Sequence, residues 1–261
     1  MRSAILDRSI DVGLVPAPHG ELLLVATAAS PSLANTSIKI FGRLAHATGV
    51  PLRVQNVRPL PSNDPDGLSK IYFVIALLSP SLIFGNALVT RISRRLHPLL
   101  HLVVIAIFSV IISAVGTAFA DPVIGAITGV PWALFGIGAL LAFASAVTSA
   151  AASRWAGGIG NVVMVLLFIP VGIAASGLTL GPNMITQWYA DVGKGLLPGA
   201  AMTAVNNAAY FNGNAIAMPL WVLAAWALAG TLAMVMVVIL HPPLPRQRSQ
   251  PDDQAESAAR R

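Results

Sequence analysis

Cysteine is absent from the sequence, and charged residues are scarce. Without cysteine the chain can form no disulfide, no thiolate nucleophile and no cysteine metal site. Charged residues make up 10% of the 261 residues and hydrophobic residues 56%, whereas about 25% of an ordinary soluble domain is charged. A soluble protein of this composition would lack the polar groups needed to cover its surface. We therefore expect much of the surface to face lipid.

Catalytic and nucleotide-binding motifs are also missing from the sequence. The five histidines are scattered and fit no helical metal motif, and no glycine-rich loop carries the lysine of a P-loop. The net charge is +6, but the arginines lie at the ends of apolar segments and form no basic patch with interleaved aromatics. These patterns predict no enzyme, no cofactor, no metal site and no nucleic-acid partner. Any work driven by ATP would need a separate subunit.

Five apolar stretches contain no aspartate, glutamate, lysine or arginine, and each has about the 20 residues that a membrane-crossing helix needs. One soluble core could not enclose five helices that are apolar all round. We predict an all-α bundle of five transmembrane helices within a transmembrane domain at 70–240. The predicted spans are 71–90, 99–120, 129–153, 157–179 and 218–240.

Residues 1–69 have the pattern of a small α/β segment. Two apolar runs of strand length are followed by Ser30-Pro31, which is an N-cap with proline at the first helical position. Three short strands and one helix would give a thin core, so we interpret the segment as part of a domain. The predicted strands are Val12–Val15, Glu21–Ala26 and Leu52–Val57, the predicted helix ends at Gly49, and turn residues at 59–67 mark the boundary.

The basic residues of the short loops predict the orientation. One side of the predicted bundle carries eight arginines and the other side carries only Lys194, which by the positive-inside rule places the arginines in the cytoplasm. The N-terminal segment and the loop 180–217 would then lie outside, and the polar tail 241–261 would be disordered and cytoplasmic. The arginines are Arg91, Arg94, Arg95, Arg154, Arg246, Arg248, Arg260 and Arg261.

The N-terminal segment itself carries six basic residues, Lys70 follows it directly, and no export signal is visible. Either the first span inserts with its N-terminus outside, or a span preceding this chain is missing. The second interpretation is favoured.

Small and polar residues recur along the predicted spans. Gly138, Ala142, Ala146 and Ala150 form a ladder at helical spacing, which favours close helix packing and, as a further hypothesis, dimerisation. Polar residues at four further positions are interpreted either as interhelical hydrogen-bond partners or as the lining of a translocation pathway. They are Asn86, Asn161, Ser109 and Ser113.

Two prolines lie inside predicted spans, and no ionisable residue lies in the middle of one. Pro80 and Pro170 would each remove a backbone hydrogen bond and kink the helix, so both are hinge candidates. The lack of a mid-membrane ionisable group argues against an ion-coupled carrier.

The loop 180–217 is too long and too apolar for a plain connector. The pattern predicts two short helices, Met184–Ala190 and Gly199–Phe211, with the second opened by Pro198. Apolar residues would share one face of the second helix, and Asn206 and Asn207 would lie on the other. We expect a hairpin on the membrane surface or partly re-entrant, or alternatively an ordered extracellular loop.

Several of these residues resemble a known group of proteins. Pro59-Leu60-Pro61 with Asp64-Pro65-x-Gly67 before the first span is similar to the junction of the bacterial YhgE/Pip-type membrane proteins. Leu197-Pro198-Gly199 followed by Tyr210-Phe211 resembles the outer hairpin of the same group, and Val25–Pro31 resembles its extracytoplasmic domain. The resemblance covers nearly the whole chain except the tail. Members have an additional N-terminal span and a larger outer domain, so the resemblance implies an N-terminally truncated form.

The resemblance places the chain among the type-2 exporter permeases of the ABC class. It implies a permease-like subunit of the bacterial inner membrane that works with a second permease half, or as a homodimer, and with a cytoplasmic ATPase. The substrate is not implied. The alternative is a non-transporting membrane scaffold or a surface receptor of the phage-infection-protein type.

Overall fold

The computed structural model is mostly helical and contains one small sheet. It describes residues 1–18, 20–62, 64–92, 98–123, 125, 127–177 and 186–240; the predicted tail 241–261 lies outside these residues. The strands are β1 (Val12–Ala17), β2 (Gly20–Val25) and β3 (Leu52–Asn56). The helices are α1 (Arg2–Leu6), α2 (Pro31–Thr48), α3 (Ser69–Ala87), α4 (Pro98–Ala118), α5 (Pro131–Leu166), α6 (Gly172–Ala175), α7 (Gln187–Gly195), α8 (Leu197–Tyr210) and α9 (Ala217–Leu240).

The N-terminal segment folds as the sequence pattern predicts. β1 pairs antiparallel with β2, and β2 pairs parallel with β3 after the chain has crossed over through α2. The three predicted strands and the predicted helix are confirmed, within one or two residues at their ends. The short helix α1 was not predicted, because five residues are too few to show a helical period.

Capping explains why α2 begins and ends where the sequence indicates. The backbone amide of Leu33 donates to Ser30 Oγ at 3.3 Å, and Pro31 occupies the first turn. At the other end Gly49 takes a left-handed conformation (φ 71°), which glycine adopts without a Cβ clash. Local chemistry is therefore sufficient to define this helix.

The small sheet is covered on both faces, but by different parts of the chain. Leu23 and Val25 of β2 pack with Ala34 of α2 on one face. On the other face, Leu24 packs in a cluster with Ile5 of α1 and with Phe211, which follows α8. The predicted thin core is thus completed by a residue from the C-terminal half of the chain.

Four helical stretches in the described residues are long and apolar enough to cross a membrane, whereas five spans were predicted. They are Ser69–Arg91, Leu99–Asp121, Pro131–Ala175 and Ala217–Met236. The single stretch Pro131–Ala175 covers most of the predicted third and fourth spans, 129–153 and 157–179. The sequence separates these two spans at residues 154–156, because Arg154 interrupts the charge-free run.

The long stretch is not one straight helix, because Gly157 has non-helical backbone angles (φ 61°, ψ −142°). Ser149 Oγ lies 2.8 Å from Asn161 Oδ1, although a straight helix would separate residues 12 apart by about 18 Å. Gly160 likewise packs directly against the backbone carbonyl of Ala152. The chain therefore turns back at Gly157, and the residues that follow run beside the first part of α5.

α5 is the central helix of the bundle, in contact with α3, α4, α8 and α9. Along α3, Leu77 lies near Gly138 and Gly85 lies against Ala146, so α3 and α5 run in the same direction. α4 runs in the opposite direction, since Phe108 stacks on Phe84 with ring centroids 3.9 Å apart, while Gly116 lies nearer the start of α3.

α9 also runs in the same direction as α5. Gly230 packs against Val147 and Thr148, and the indole N–H of Trp155 donates to the carbonyl of Ala233 at 3.1 Å. The N-terminal ends of α3, α5 and α9 therefore lie together at one end of the bundle.

Small residues let these helices approach α5 closely. A Cβ at Gly85 would collide with the carbonyl oxygen of Ala146, and one at Gly138 would lie 2.5 Å from Ser113 Oγ. All four residues of the predicted ladder, Gly138, Ala142, Ala146 and Ala150, are buried within the chain. The ladder therefore packs helices of one chain together, and its burial leaves no free stripe for the dimerisation hypothesis.

We expect Gly85→Ala to destabilise the bundle by about 1–3 kcal/mol, because the added methyl must push α3 away from the backbone of α5. The matched control is Gly136→Ala on α5, where an added Cβ meets no atom within 4 Å. Unfolding of the purified chain by a denaturing detergent measures both variants. Equal stability of the two variants would contradict the assigned close contact between α3 and α5.

Candidate functional site

The asparagines predicted in the spans make hydrogen bonds between helical segments. Ser153 Oγ donates to Asn86 Oδ1 at 2.9 Å and joins α5 to α3. Ser149 Oγ is within hydrogen-bond distance of both the Leu82 carbonyl oxygen (2.7 Å) and Asn161 Oδ1. This geometry is that of interhelical partners, the first of the two interpretations, and a role in a pathway stays a prediction.

The two predicted serines of α4 have different partners. Ser113 Oγ donates to the Phe135 carbonyl of α5 at 2.7 Å, whereas Ser109 Oγ donates to Ile105 within its own helix. Of the two hinge candidates, Pro80 lies inside α3, and Pro170 lies in the π-helical turn Leu167–Val171. A hinge motion at either proline stays a prediction.

The predicted outer hairpin contains two helices, but their bounds and surroundings differ from the prediction. α7 begins at Gln187 and continues to Gly195, and the predicted start at Met184 lies outside the described residues. The extended backbone at Leu196 (φ −99°, ψ 152°) separates α7 from α8. The predicted end of the first helix at Ala190 is wrong. The chain stays helical through Gly193 to Gly195, and the helix ends at the extended residue Leu196.

α8 is buried within the bundle, which does not fit a helix lying on the membrane surface; a partly re-entrant hairpin or an ordered extracellular loop stays a prediction. Its apolar residues belong to the main hydrophobic core with α3, α5 and α9. Asn206 and Asn207, predicted on an outer face, are 4% and 1% exposed. Both are held by hydrogen bonds that the sequence pattern does not reveal, the first from Lys70 and the second to the Ala215 carbonyl.

The four residues that carry the resemblance of the hairpin make close contacts. Pro198 lies against Gly172, and a Cβ at Gly199 would collide with the carbonyl of Gly193, so the end of α7 and the start of α8 touch. Tyr210 and Phe211 belong to the cluster beneath the N-terminal sheet. These residues therefore fix the hairpin to α6 and to the N-terminal segment.

A polar cavity lies where the N-terminal segment, α3, α6 and α8 meet. Its walls include Arg8 and Lys70, together with Asp66, Ser176, Thr203 and Asn206. The Lys70 ammonium donates to Asn206 Oδ1 at 2.7 Å. We call this space, of about 80 Å³, the inner cavity.

Asp64 holds the start of α3 beside the inner cavity. Its two carboxylate oxygens accept from the backbone amides of Leu68 (2.9 Å) and Ser69 (3.1 Å), as an N-capping residue does. The same carboxylate acts on Tyr210: burial, with a smaller contribution from Asp64, raises the pKa of the Tyr210 hydroxyl to about 12. Tyr210 is therefore neutral at physiological pH.

Arg8 is held in place by its backbone and by an aromatic ring. It follows α1 with a positive φ of 64°, and its guanidinium lies over the Phe211 ring, 4.7 Å from the centroid. Burial lowers the pKa of this guanidinium, and the charge of Asp11 partly offsets the effect. Close by, Asn214 Nδ2 donates to the Leu6 carbonyl at 3.1 Å and ties the loop after α8 to α1.

A larger cavity, of about 550 Å³, adjoins the inner cavity and is bounded by α7, α8 and the start of α9. We call it the outer cavity. Arg8, Ser176, Gly199 and Thr203 line both cavities. Asn207 also lines the outer cavity, and its buried Oδ1 accepts no hydrogen bond from the residues that the structure describes.

The walls of the two cavities carry groups that can bind a ligand. Within the described part of the chain, no three histidine or acidic side chains cluster in a way that could hold a metal ion. The walls instead supply three cationic side chains, two carboxylates, two amides and hydroxyls beside an apolar space. Such groups bind and orient a ligand that is partly polar and partly apolar.

No family model matches the chain, and neither a curated protein nor a solved structure does. The similarity to the YhgE/Pip-type proteins therefore stays a prediction, carried by the residues quoted in the sequence analysis.

Sequence reasoning missed Arg8, Lys70 and Asn207 as members of a site. Lys70 and Arg8 were considered only as charges that bear on orientation. The adjacent asparagines Asn206 and Asn207 in an apolar helix could have indicated a polar site, since a buried amide needs hydrogen-bond partners. What the pattern could not supply was the partner, because Lys70 and Asn206 are 136 residues apart.

We expect Phe211→Ala to destabilise the chain by about 3–5 kcal/mol, because Phe211 is 1% exposed and fills the gap between the sheet and α8. Limited proteolysis of the detergent-purified chain should then cut within the N-terminal segment faster than in the wild type. Phe119→Ala removes the same atoms from a side chain that is 56% exposed, and it should leave the cleavage rate unchanged. Equal protection of both variants would contradict the docking role of Phe211.

Proposed function

We propose that the chain is a multi-pass protein of the bacterial inner membrane that crosses the bilayer five times. The observation that carries this proposal is the reversal at Gly157, across which Ser149 and Asn161 meet. A stretch of 45 residues, Pro131–Ala175, is far longer than the roughly 20 residues that one crossing needs. If the stretch crosses the bilayer twice and turns at Gly157, its whole apolar length lies in lipid. A single crossing would leave part of the apolar helix in water.

The proposed orientation puts the N-terminal segment outside and the C-terminal tail in the cytoplasm. Arg91 is exposed just after α3, at the end of the bundle away from the N-terminal segment. Exposed Trp132 and Trp221 lie near the starts of α5 and α9, at the opposite end. Cytoplasmic arginines and interfacial tryptophans are the usual anchors of membrane helices.

Single cysteines can test this topology, because the native chain has none. Gly158, Gly42 and Gly136 are positions outside the core where an added side chain meets no atom within 4 Å. A membrane-impermeant maleimide should label Gly42→Cys, in α2 of the N-terminal segment, in intact cells and Gly158→Cys only after the cells are permeabilised. Gly136→Cys, within the proposed lipid-facing surface, is the control and should stay unlabelled in both cases.

Two outcomes would contradict the proposal. Labelling of Gly158→Cys from outside would place the turn at Gly157 on the same side as the N-terminal segment. Failure to label Gly158→Cys after permeabilisation would favour a single bent crossing for Pro131–Ala175.

Within this topology, we propose that the chain acts as a permease-like subunit of an ABC-type exporter. The resemblance of its junction and outer hairpin to exporter permeases supports this function. The helix packing indicates where a substrate could cross the membrane. The middle of α5 is fully buried against other helices, at Leu141, Ala144 and Ala146. A substrate path would then form between two permease halves, or between two copies of the chain, and a separate ATPase would drive it.

Co-purification with an ATPase subunit is the decisive measurement for export. We expect a nucleotide-binding subunit encoded beside this chain to bind it in detergent, and we expect the complex to hydrolyse ATP faster than the free subunit. Gly85→Ala, which disturbs the packing of α3 on α5, should reduce this stimulation more than Gly136→Ala does. If no such subunit binds the chain, the permease assignment fails.

The second candidate is a non-transporting membrane scaffold or surface receptor. The observation that favours it is the fixed docking of the N-terminal segment, through Phe211 and the contact of Asn214 with Leu6. A segment held in this way would present one constant surface to the outside. A chain that reaches the membrane in the proposed topology but neither binds nor stimulates an ATPase would favour this candidate.

A further inference from the structure

We propose that the inner and outer cavities together bind one anionic phospholipid, with its phosphate between Arg8 and Lys70. The proposal rests on the membrane crossing of α3 and α9, and it does not depend on export. Three observations support it: the charge of the inner cavity, the shape of the joined space, and its position in the bundle.

The charge of the inner cavity favours an anion. Neither Arg8 nor Lys70 makes an ion pair with another residue in the ranges that the structure describes. Of the acids beside the two spaces, Asp64 is occupied by two backbone amides, and Asp66 is exposed to solvent. The acid that lines the outer cavity, Asp191, is paired with Lys194 at 2.8 Å. A phosphate can accept hydrogen bonds from a guanidinium and an ammonium together, and such charge-assisted bonds are the stronger class.

Asp11 is the remaining carboxylate whose charge reaches Arg8. Asp11 lines neither cavity, whereas Arg8 lines both. Arg8 is therefore the charged residue that a ligand at the junction of the two spaces would meet.

The joined space has the shape of a headgroup site with an apolar exit. The inner cavity, about 80 Å³, exceeds the roughly 15 Å³ that a single water needs. The outer cavity is about 550 Å³ and is lined by apolar side chains that include Ala200, Met218 and Val222. A phosphate in the first space would leave the glycerol and the start of the acyl chains in the second.

The outer cavity opens at the depth where lipid headgroups would lie. Met218 and Pro219, in the first turn of α9, form part of its wall, and Met218 is 72% exposed. Trp221 is equally exposed one turn further on, and tryptophan at the end of a span is typical of the membrane interface. A lipid can therefore enter the outer cavity from the side of the bundle. A soluble phosphate would not need an opening at this position.

The two cations of the inner cavity indicate the kind of headgroup. Arg8 and Lys70 attract a phosphate but repel a second positive charge beside it. The chemistry thus favours a headgroup without a positive charge of its own, as in phosphatidylglycerol, over the quaternary ammonium of phosphatidylcholine.

Native mass spectrometry of the delipidated, detergent-purified chain tests the proposal with three probes: dioctanoyl phosphatidylglycerol, dioctanoyl phosphatidylcholine and glycerol phosphate. We expect one phosphatidylglycerol to bind, and each of the other two probes to bind about tenfold or more weakly. Arg8→Gln and Lys70→Gln should each weaken phosphatidylglycerol binding about tenfold. Lys39→Gln removes a cation from the exposed surface of α2 and should bind as the wild type does.

A second pair of variants keeps the test valid if the buried cations are needed for folding. Met218→Glu places a negative charge at the mouth of the outer cavity, on a side chain too exposed to be needed for packing. It should weaken phosphatidylglycerol binding about tenfold relative to Met218→Gln, because like charges repel. Equal binding by these two variants would overturn the proposal.

The remaining outcomes also decide the proposal. Equal affinity for phosphatidylglycerol and phosphatidylcholine would show that the headgroup is not recognised, and would overturn it. Tighter binding of glycerol phosphate than of the lipid would make the space a site for a soluble phosphate and overturn the lipid assignment. Selective lipid binding by a chain that stimulates no ATPase would contradict the exporter proposal alone.

Discussion

The bundle depends on close contact between helix backbones around α5. In lipid, apolar side chains gain little by leaving one apolar surface for another, so helix association relies on packing and on interhelical hydrogen bonds. Gly85 against Ala146 and Gly138 against Ser113 bring α3 and α4 close to α5. Once the backbones are this close, the hydroxyls of Ser149 and Ser153 can reach acceptors on α3. The polar contacts in the bundle are thus a consequence of the small residues.

The end of the bundle next to the N-terminal segment is organised by a different interaction, the burial of Phe211 under the N-terminal sheet. Because the sheet has only three strands, it cannot cover both of its faces with its own segment, and the bundle supplies the missing apolar group. This docking brings Arg8 over the Phe211 ring and beside Lys70. The inner and outer cavities therefore lie where the two parts of the chain meet, and the proposed headgroup site is a property of that junction.

Much of the fold could be predicted from the sequence, because its determinants are local. The alternation and length of the strands, the Ser30 cap and the Gly49 terminus define the N-terminal elements within one or two residues. The site could not be predicted in the same way. Asn206 and Asn207 were assigned to a polar outer face, since an isolated helical pattern places amides toward water. Their burial depends on Lys70 and Ala215, and nothing in the sequence of α8 reports those partners.

The sequence by itself determined that apolar, charge-free helices dominate the chain and that a small α/β segment precedes them, since length, composition and period act through local propensity and solvent preference. It also marked the break near Gly157, because glycines and Arg154 interrupt the apolar run. Only the tertiary structure decided which residues meet: that the α5 ladder packs inside one chain, that α8 is buried, and that Arg8 and Lys70 share a cavity. Contacts between residues far apart in sequence depend on how whole helices pack, and no local pattern encodes that packing.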